Sequence, residues 1–330
     1  MSIHTLSDIT HSVDKELKEF NAVFKKSLKS NVGIVDLVTK YILKQKGKKI
    51  RPLLVLLSSK ISGGITERSY RGAGLVELLH TATLVHDDVV DNADTRRNFP
   101  SINAIWKNKV AVLMGDYLLA KGLMLAVEYE DHDFLKVITN TVKRMSEGEL
   151  LQIRKTRKLN NDEATYFRII SDKTASLLST CCEIGAMAAT NDSNKIKAMR
   201  EFGENLGIAF QIRDDILDFI GKSSILGKPL AGDIRERKLT LPLIYALSKA
   251  DNDEAKSVLK LIKNGGKNLD VNTVIEFVKK HDGISYAEEK ANEYARKALT
   301  CLEQFEDCDA KDSLSGLVHF VVERKNNFFY

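Results

Sequence analysis

Apolar residues return every three or four positions along most of the chain, a spacing that predicts helices almost throughout. Ile9, Val13, Leu17, Phe20, Phe24 and Leu28 mark an amphipathic first helix over residues 5–30, and a second runs from Val35 to Gln45. The segment Lys46-Gly47-Lys48-Lys49-Ile50-Arg51-Pro52 breaks the pattern. A strongly apolar helix follows over Leu53–Ser59, with Pro52 in its first turn. Past the Ser62-Gly63-Gly64 loop the same period marks Leu75–Val85, Val110–Val127, Asp133–Arg154, residues 162–190 and the run through Phe202, Leu206, Ile208 and Ala209. Thr240 stands as the N-cap of a helix opening at Leu241-Pro242. Val271–Val278, Tyr286–Phe305 and Leu314–Val322 read as further helices. Alternating β patterns of useful length are missing. The expected fold is all-α: one domain over residues 1–330, a single bundle of ten or more helices around a deep central cavity.

Composition agrees with this reading. Only 4 prolines occur in 330 residues, so long stretches run without a helix break. Apolar residues make up 43% and charged residues 29%, as in a water-soluble protein with a large core. The net charge of +5 comes from bases interspersed with acids, without the basic, aromatic-laced block that tracks nucleic acid. Cys181, Cys182, Cys301 and Cys308 form no metal-binding spacing. If Cys301 and Cys308 share one helix, they stand roughly 10 Å apart along it, beyond disulfide reach. Such usage fits a reducing cytoplasm. The N-terminus has no apolar signal-peptide core. Val110–Val127, interrupted by Asp116 and Lys121, is expected to be a core helix too polar to span a bilayer.

Candidate chemistry is concentrated in His86-Asp87-Asp88-Val89-Val90-Asp91-Asn92-Ala93-Asp94-Thr95-Arg96-Arg97, where four carboxylates fall within eight residues. If the helix before it runs on through Asp91, Asp87 and Asp91 share one face. Their like charges oppose the helix, and no lysine or arginine four residues on relieves them. The same Asp-Asp-x-x-Asp spacing returns 127 residues later at Asp214, Asp215 and Asp218, again closing an apolar helical run. Two solvated acidic helix ends are the plainer alternative, but a pair with identical spacing in Val, Ile and Leu surroundings points to shared ligation. Hard carboxylate oxygens suit Mg²⁺, which takes one or two of them together with water and phosphate. Neither segment has the mid-loop glycine and closing glutamate of a calcium-binding helix–loop–helix.

Cations accompany the motifs. Lys48 and Arg51 sit at a helix start, a natural anion seat, although a solvated charged turn has the same composition. Lys173 and Thr174 fall mid-helix among Ile169, Ile170, Leu177 and Leu178, where a lysine could also snorkel to solvent. The loop Gly221–Pro229, with Lys228, has the composition of a basic lid over a phosphate group.

With these residues in view, the chain resembles the trans-(E)-polyprenyl diphosphate synthase family, whose mark is the pair of aspartate-rich motifs. Gly47–Pro52, His80, Arg96-Arg97, Asp172-Lys173-Thr174, Gln211 and Gly227-Lys228-Pro229 also fall where that family carries substrate contacts. The resemblance covers residues 45–245. It implies an isoprenoid-synthase bundle, a homodimer, and Mg²⁺-dependent condensation of an allylic diphosphate with isopentenyl diphosphate. It further implies Asp87, Asp91, Asp214 and Asp218 as metal ligands, with Asp88 and Asp215 supporting them. Arg96, Lys173 and Lys228 would bind the allylic diphosphate; Lys48, Arg51, His80 and Arg97 the isopentenyl diphosphate. Lys173, Thr174, Gln211 and Lys228 would serve the chemical step, the two neutral side chains as oxygen dipoles near the allylic cation.

Ala82 and Thr83, about one turn before Asp87, are small where short-chain members often carry an aromatic stop. That resembles the long-chain, octaprenyl-type enzymes that supply quinone side chains. A farnesyl- or geranylgeranyl-length product is the alternative. A terpene cyclase would not need the second anion site, a non-catalytic subunit should have lost carboxylates or bases, and a phosphohydrolase should show a water-activating group.

Overall fold

The spacing becomes a succession of helices in the computed structural model, which describes residues 5–45, 47–96, 99–160, 162–220, 232–265 and 269–324. The first expected helix is broken into α1 (Leu6–Thr10), a 3₁₀ turn (His11–Val13) and α2 (Asp14–Ser27). Then come α3 (Gly33–Lys44), α4 (Ile50–Ser62) and α5 (Glu67–Val90). A two-residue antiparallel pair, β1 (Thr95–Arg96) and β2 (Phe99–Pro100), follows. After it run α6 (Ile102–Glu128), α7 (His132–Lys158), α8 (Glu163–Ile170), a π turn (Ser171–Ala175), α9 (Ser176–Ala189) and α10 (Ser193–Ile220). The remainder is α11 (Gly232–Arg235), α12 (Leu241–Lys249), α13 (Asn252–Gly265), α14 (Val271–Lys280), α15 (Gly283–Leu302) and α16 (Asp309–Glu323). The expectation of an all-α bundle of ten or more helices is borne out.

Helices α5 and α10 are the frame of the site. Buried side chains occur all round α5, from Leu75 and Val76 to Leu78, Leu79 and Ala82, as expected of a helix enclosed by others. Its packing partner α6 approaches closely because glycines replace side chains at the contact. A Cβ on Gly115 would lie 2.2 Å from Nε2 of His86, so that ring occupies the space the glycine leaves. One core cluster gathers α4, α5, α9 and the first half of α10; a second gathers the end of α10 with α12 and α14. Helix α10 belongs to both.

Three expectations are corrected. Val110–Val127 is not a core helix throughout: Val112, Leu113, Met124 and Val127 are 41–58% exposed. The segment is apolar on nearly every side, so sequence could not show which sides its neighbours cover. Its helix, with a mean hydropathy of 1.7 over its best window, also meets the length and composition of a membrane span, so the two charges do not make it too polar. Thr240 holds the N-cap position, but its side chain makes no capping bond and its buried Oγ1 has no hydrogen-bond partner among the described residues. Apart from these, Cys301 lies at the end of α15, Cys308 precedes α16, and all four cysteines are free thiols.

Candidate active site

A cavity of about 540 Å³ collects both aspartate motifs. Asp87 and Asp91 reach it from the C-terminal end of α5, and Asp214, Asp215 and Asp218 from that of α10. Arg96, Lys173, Thr174 and Gln211 line the same cavity. Of the expected residues, these are the ones that the fold brings together.

The first motif splits its duties. Burial pushes the Asp87 carboxyl up to about 6, with Glu149 and Asp91 adding to the rise and Lys173 and Arg96 opposing it. Asp88 is buried and turned toward Arg96, whose Nε donates to its Oδ1 at 2.6 Å. Burial raises Asp88 as well, against the pull of that guanidinium. Arg96 is thus held in place by the carboxylate between the two cavity-facing ones.

The second motif is tied more tightly. Arg324, at the end of α16, donates from Nη2 to Asp214 Oδ1 at 2.7 Å and to the Phe210 carbonyl at 3.0 Å. Asp215 is buried and accepts from the Tyr166 hydroxyl at 2.6 Å and from Gln211 Nε2 at 2.9 Å. Burial, with Asp233 and Asp214, drives its pKa well up, against the two hydrogen bonds. Gln211 also accepts from Thr174 Oγ1 at 2.9 Å, so its amide orientation is set from both ends. Asp218 accepts from the backbone N–H of Gly232 and Asp233, both at 3.1 Å, and so caps α11.

The Lys173 ammonium lies 2.5 Å from Glu149 Oε2 and 3.3 Å from Gln152 Oε1. Helix α11 adds Lys238, close behind it, to the wall. Burial alone would lower the Lys238 pKa, but Asp233, Glu236 and Asp91 carry it above its ordinary value. His80 lines a second, more apolar cavity of about 380 Å³ between α2, α3, α5 and α6, and Arg96 and Leu84 border both cavities. Lys48 and Arg51 line neither. Although the Lys48 side chain is exposed overall, partial burial and the Arg324 charge hold its ammonium below the usual lysine range. Arg97 and Lys228 lie outside the described residues. Ala82 is buried and Thr83 half-buried, its Oγ1 donating to the His80 carbonyl at 2.9 Å; neither lines the two cavities.

Among the described residues, no three carboxylate, imidazole or thiol groups converge to enclose an ion alone. The donor set still suits Mg²⁺, which prefers one or two carboxylates and completes its shell with water and phosphate oxygens. The burial-raised Asp87, packed among other acids, is what a cation would relieve.

Sequence reasoning missed Arg324, Tyr166, Glu149 and Lys238. The first two lie 110 and 49 residues from their partners, so no local spacing could reveal them. Glu149, by contrast, was legible as an acid on the helix read over Asp133–Arg154.

An all-α bundle in which two aspartate motifs face one cation-lined cavity defines a class of enzymes that handle diphosphates. The chain belongs to the polyprenyl synthetase family: residues 33–278 match its family model. It is 32% identical to the octaprenyl diphosphate synthase of Haemophilus influenzae and 33% identical to the geranylgeranyl diphosphate synthase of Saccharolobus solfataricus, each over 97% of both chains. A polyprenyl synthase structure from Caulobacter crescentus, in complex with calcium and isoprenyl diphosphate, superposes with a TM-score of 0.88 at 31% identity, covering 98% of this chain and 99% of that one. The protein is therefore a prenyl diphosphate synthase, a prenyltransferase of isoprenoid biosynthesis.

Proposed function

We propose that this enzyme elongates an allylic diphosphate with isopentenyl diphosphate, with Mg²⁺, to a long-chain all-trans polyprenyl diphosphate that supplies quinone side chains. The carrying observation is the pair of carboxylate motifs on α5 and α10 sharing one cavity with Arg96 and Lys173. Asp87, Asp91, Asp214 and Asp218 would hold Mg²⁺, which when bound supplies charge to stabilise the departing diphosphate. Lys173, Arg96 and Lys228 would bind that diphosphate, and Lys48, Arg51, His80 and Arg97 the second substrate. Thr174 and Gln211, bonded to each other, would turn oxygen dipoles toward the allylic cation without a nucleophile strong enough to trap it.

The long-chain reading rests on the small side chains at Ala82 and Thr83, past which the growing tail would run. A short-chain product is the second reading; it is favoured by the position of both residues off the two cavities. We also propose that residues 1–330 act as one domain, because α10 belongs to both core clusters. The exposed apolar side of α6 supports a homodimer, since an uncovered face of that size favours burial against a second copy. Four free thiols support a cytoplasmic site of action. Incubation of the purified protein with Mg²⁺, labelled isopentenyl diphosphate and an allylic primer tests the reading. Chromatography should show a chain longer than geranylgeranyl, and chelation of the metal should stop it. Absence of any condensation product would refute the assignment; a product of fifteen or twenty carbons would leave only the short-chain form.

A further inference from the structure

We infer that Arg144 is a positioning residue that locks the π turn carrying Lys173 and Thr174, an inference that rests on the proposed role of Lys173 at the allylic diphosphate. The turn Ser171–Ala175 interrupts what would otherwise be one continuous helix from α8 into α9. Its wide bond runs from the Ser176 N–H to the Ser171 carbonyl. Such a turn inserts one residue into a helix and re-aims the side chains that follow, so it persists only where its surroundings hold it.

The surroundings here are specific. Gly148 on α7 leaves room for the turn: a Cβ there would lie 3.0 Å from the Asp172 Cβ and 3.1 Å from the Lys173 nitrogen. Gly207 on α10 does the same on the other side, at 2.5 Å from the Ala175 Cα. Between these two contacts the Arg144 guanidinium grips the turn. Its Nε donates to Asp172 Oδ1 at 2.9 Å and its Nη2 to Ser171 Oγ at 2.9 Å. The same group donates to both Glu204 oxygens on α10, at 3.2 and 2.8 Å. Ser171 closes the ring by donating to Glu204 Oε1 at 2.5 Å.

Successive residues therefore face opposite ways. Ser171 and Asp172 are anchored outside the cavity to α7 and α10, while Lys173 and Thr174 line it. A planar guanidinium with five N–H donors in a fixed fork can hold two carboxylates and a hydroxyl at once; a lysine ammonium, a compact charge with three donors, lacks that fork. Arg144 itself does not line the cavity, so it acts through the turn.

The test compares Arg144→Met and Arg144→Lys with the unaltered enzyme by peptide-level amide hydrogen exchange and by steady-state kinetics. Arg144→Met should speed exchange in the peptide covering Ser171–Ser176 while α13 is unchanged. It should also raise the KM for the allylic substrate by roughly tenfold or more and that for isopentenyl diphosphate by no more than about twofold. Arg144→Lys should fall between, because charge returns without the fork. Unchanged exchange in that peptide, or an equal rise in both KM values, overturns the inference. If the unaltered enzyme fails to condense the two substrates, the proposed function falls, and the exchange measurement still decides whether Arg144 holds the turn.

Discussion

Arg324 and Asp214 form an ion pair 2.7 Å long in which the side chains are only 3% and 11% exposed. The guanidinium also stacks 4.1 Å from the Phe210 ring and donates to the Phe210 carbonyl. The Arg324 carbonyl in turn accepts from Arg213 at 2.8 Å. The end of α16 is thereby bolted to the second aspartate motif, and an aspartate proposed to bind the metal is fixed by a residue 110 positions away.

Removing that arginine takes away the charge paired with a nearly buried carboxylate. Arg324→Ala should lower unfolding stability by about 3–5 kcal/mol, the usual cost of breaking one side of a buried pair. Arg324→Lys should recover part of it, since the charge remains while the stack and the second hydrogen bond are lost. Denaturant titration measures both. A loss under about 1 kcal/mol would mean that Asp214 finds another partner or water.

The pair also separates two substitutions that sequence alone would treat alike. Asp87→Ala relieves crowding among Asp91 and Glu149 and should leave the melting temperature unchanged or higher while turnover with Mg²⁺ falls by orders of magnitude. Asp214→Ala should abolish turnover too, but it removes one half of the buried Arg324–Asp214 ion pair and should lower the melting temperature. Near-normal turnover of a folded Asp87→Ala enzyme would sink the paired-cluster reading.

The helical period and the repeated aspartate spacing were legible because both are local patterns. Like charges at i and i+4 with no cation four residues on are enough, as a spacing, to announce a missing partner. What stayed hidden depends on contacts between distant segments. A π turn has the same apolar spacing as the helix that it interrupts, so sequence placed Lys173 mid-helix without showing the turn that carries it. Helix α6 is apolar on nearly every side, and periodicity cannot tell which of those sides a neighbour covers. Arg324 lies 110 residues from Asp214, so no local pattern marks it.

Tyr166 supplies a further test at the second motif. Its hydroxyl donates at 2.6 Å to Asp215, which is 3% exposed. Tyr166→Phe keeps the ring and its packing but leaves one carboxyl oxygen of Asp215 short of a donor. The expected loss is about 1–3 kcal/mol of stability, read by denaturant titration. Gln211 still donates to the other oxygen at 2.9 Å, so the motif should stay in place and the enzyme should retain turnover. A neutral effect on stability would show that water replaces the hydroxyl.

Product length gives the last test, and the packing around α5 sharpens how it must be done. Ala82 is 1% exposed, so Ala82→Phe forces an aromatic ring into packed surroundings at about 1–3 kcal/mol of strain. Thr83 is half-buried and offers a second position with more room. Both precede Asp87 by about one turn, so a ring at either should block a tail that leaves the metal site along α5. Leu84, which with Arg96 borders both cavities, is the natural comparison, because a tail turning from one cavity into the other would pass it. If the tail follows Ala82 and Thr83, Ala82→Phe or Thr83→Phe shortens the product toward farnesyl or geranylgeranyl length while Leu84→Phe changes it less. Each variant is first checked by thermal melting, and chromatography of the dephosphorylated products then gives the length. Shortening by Leu84→Phe alone would move the tail into the second cavity. A long product unchanged by either Ala82→Phe or Thr83→Phe would remove those residues from length control.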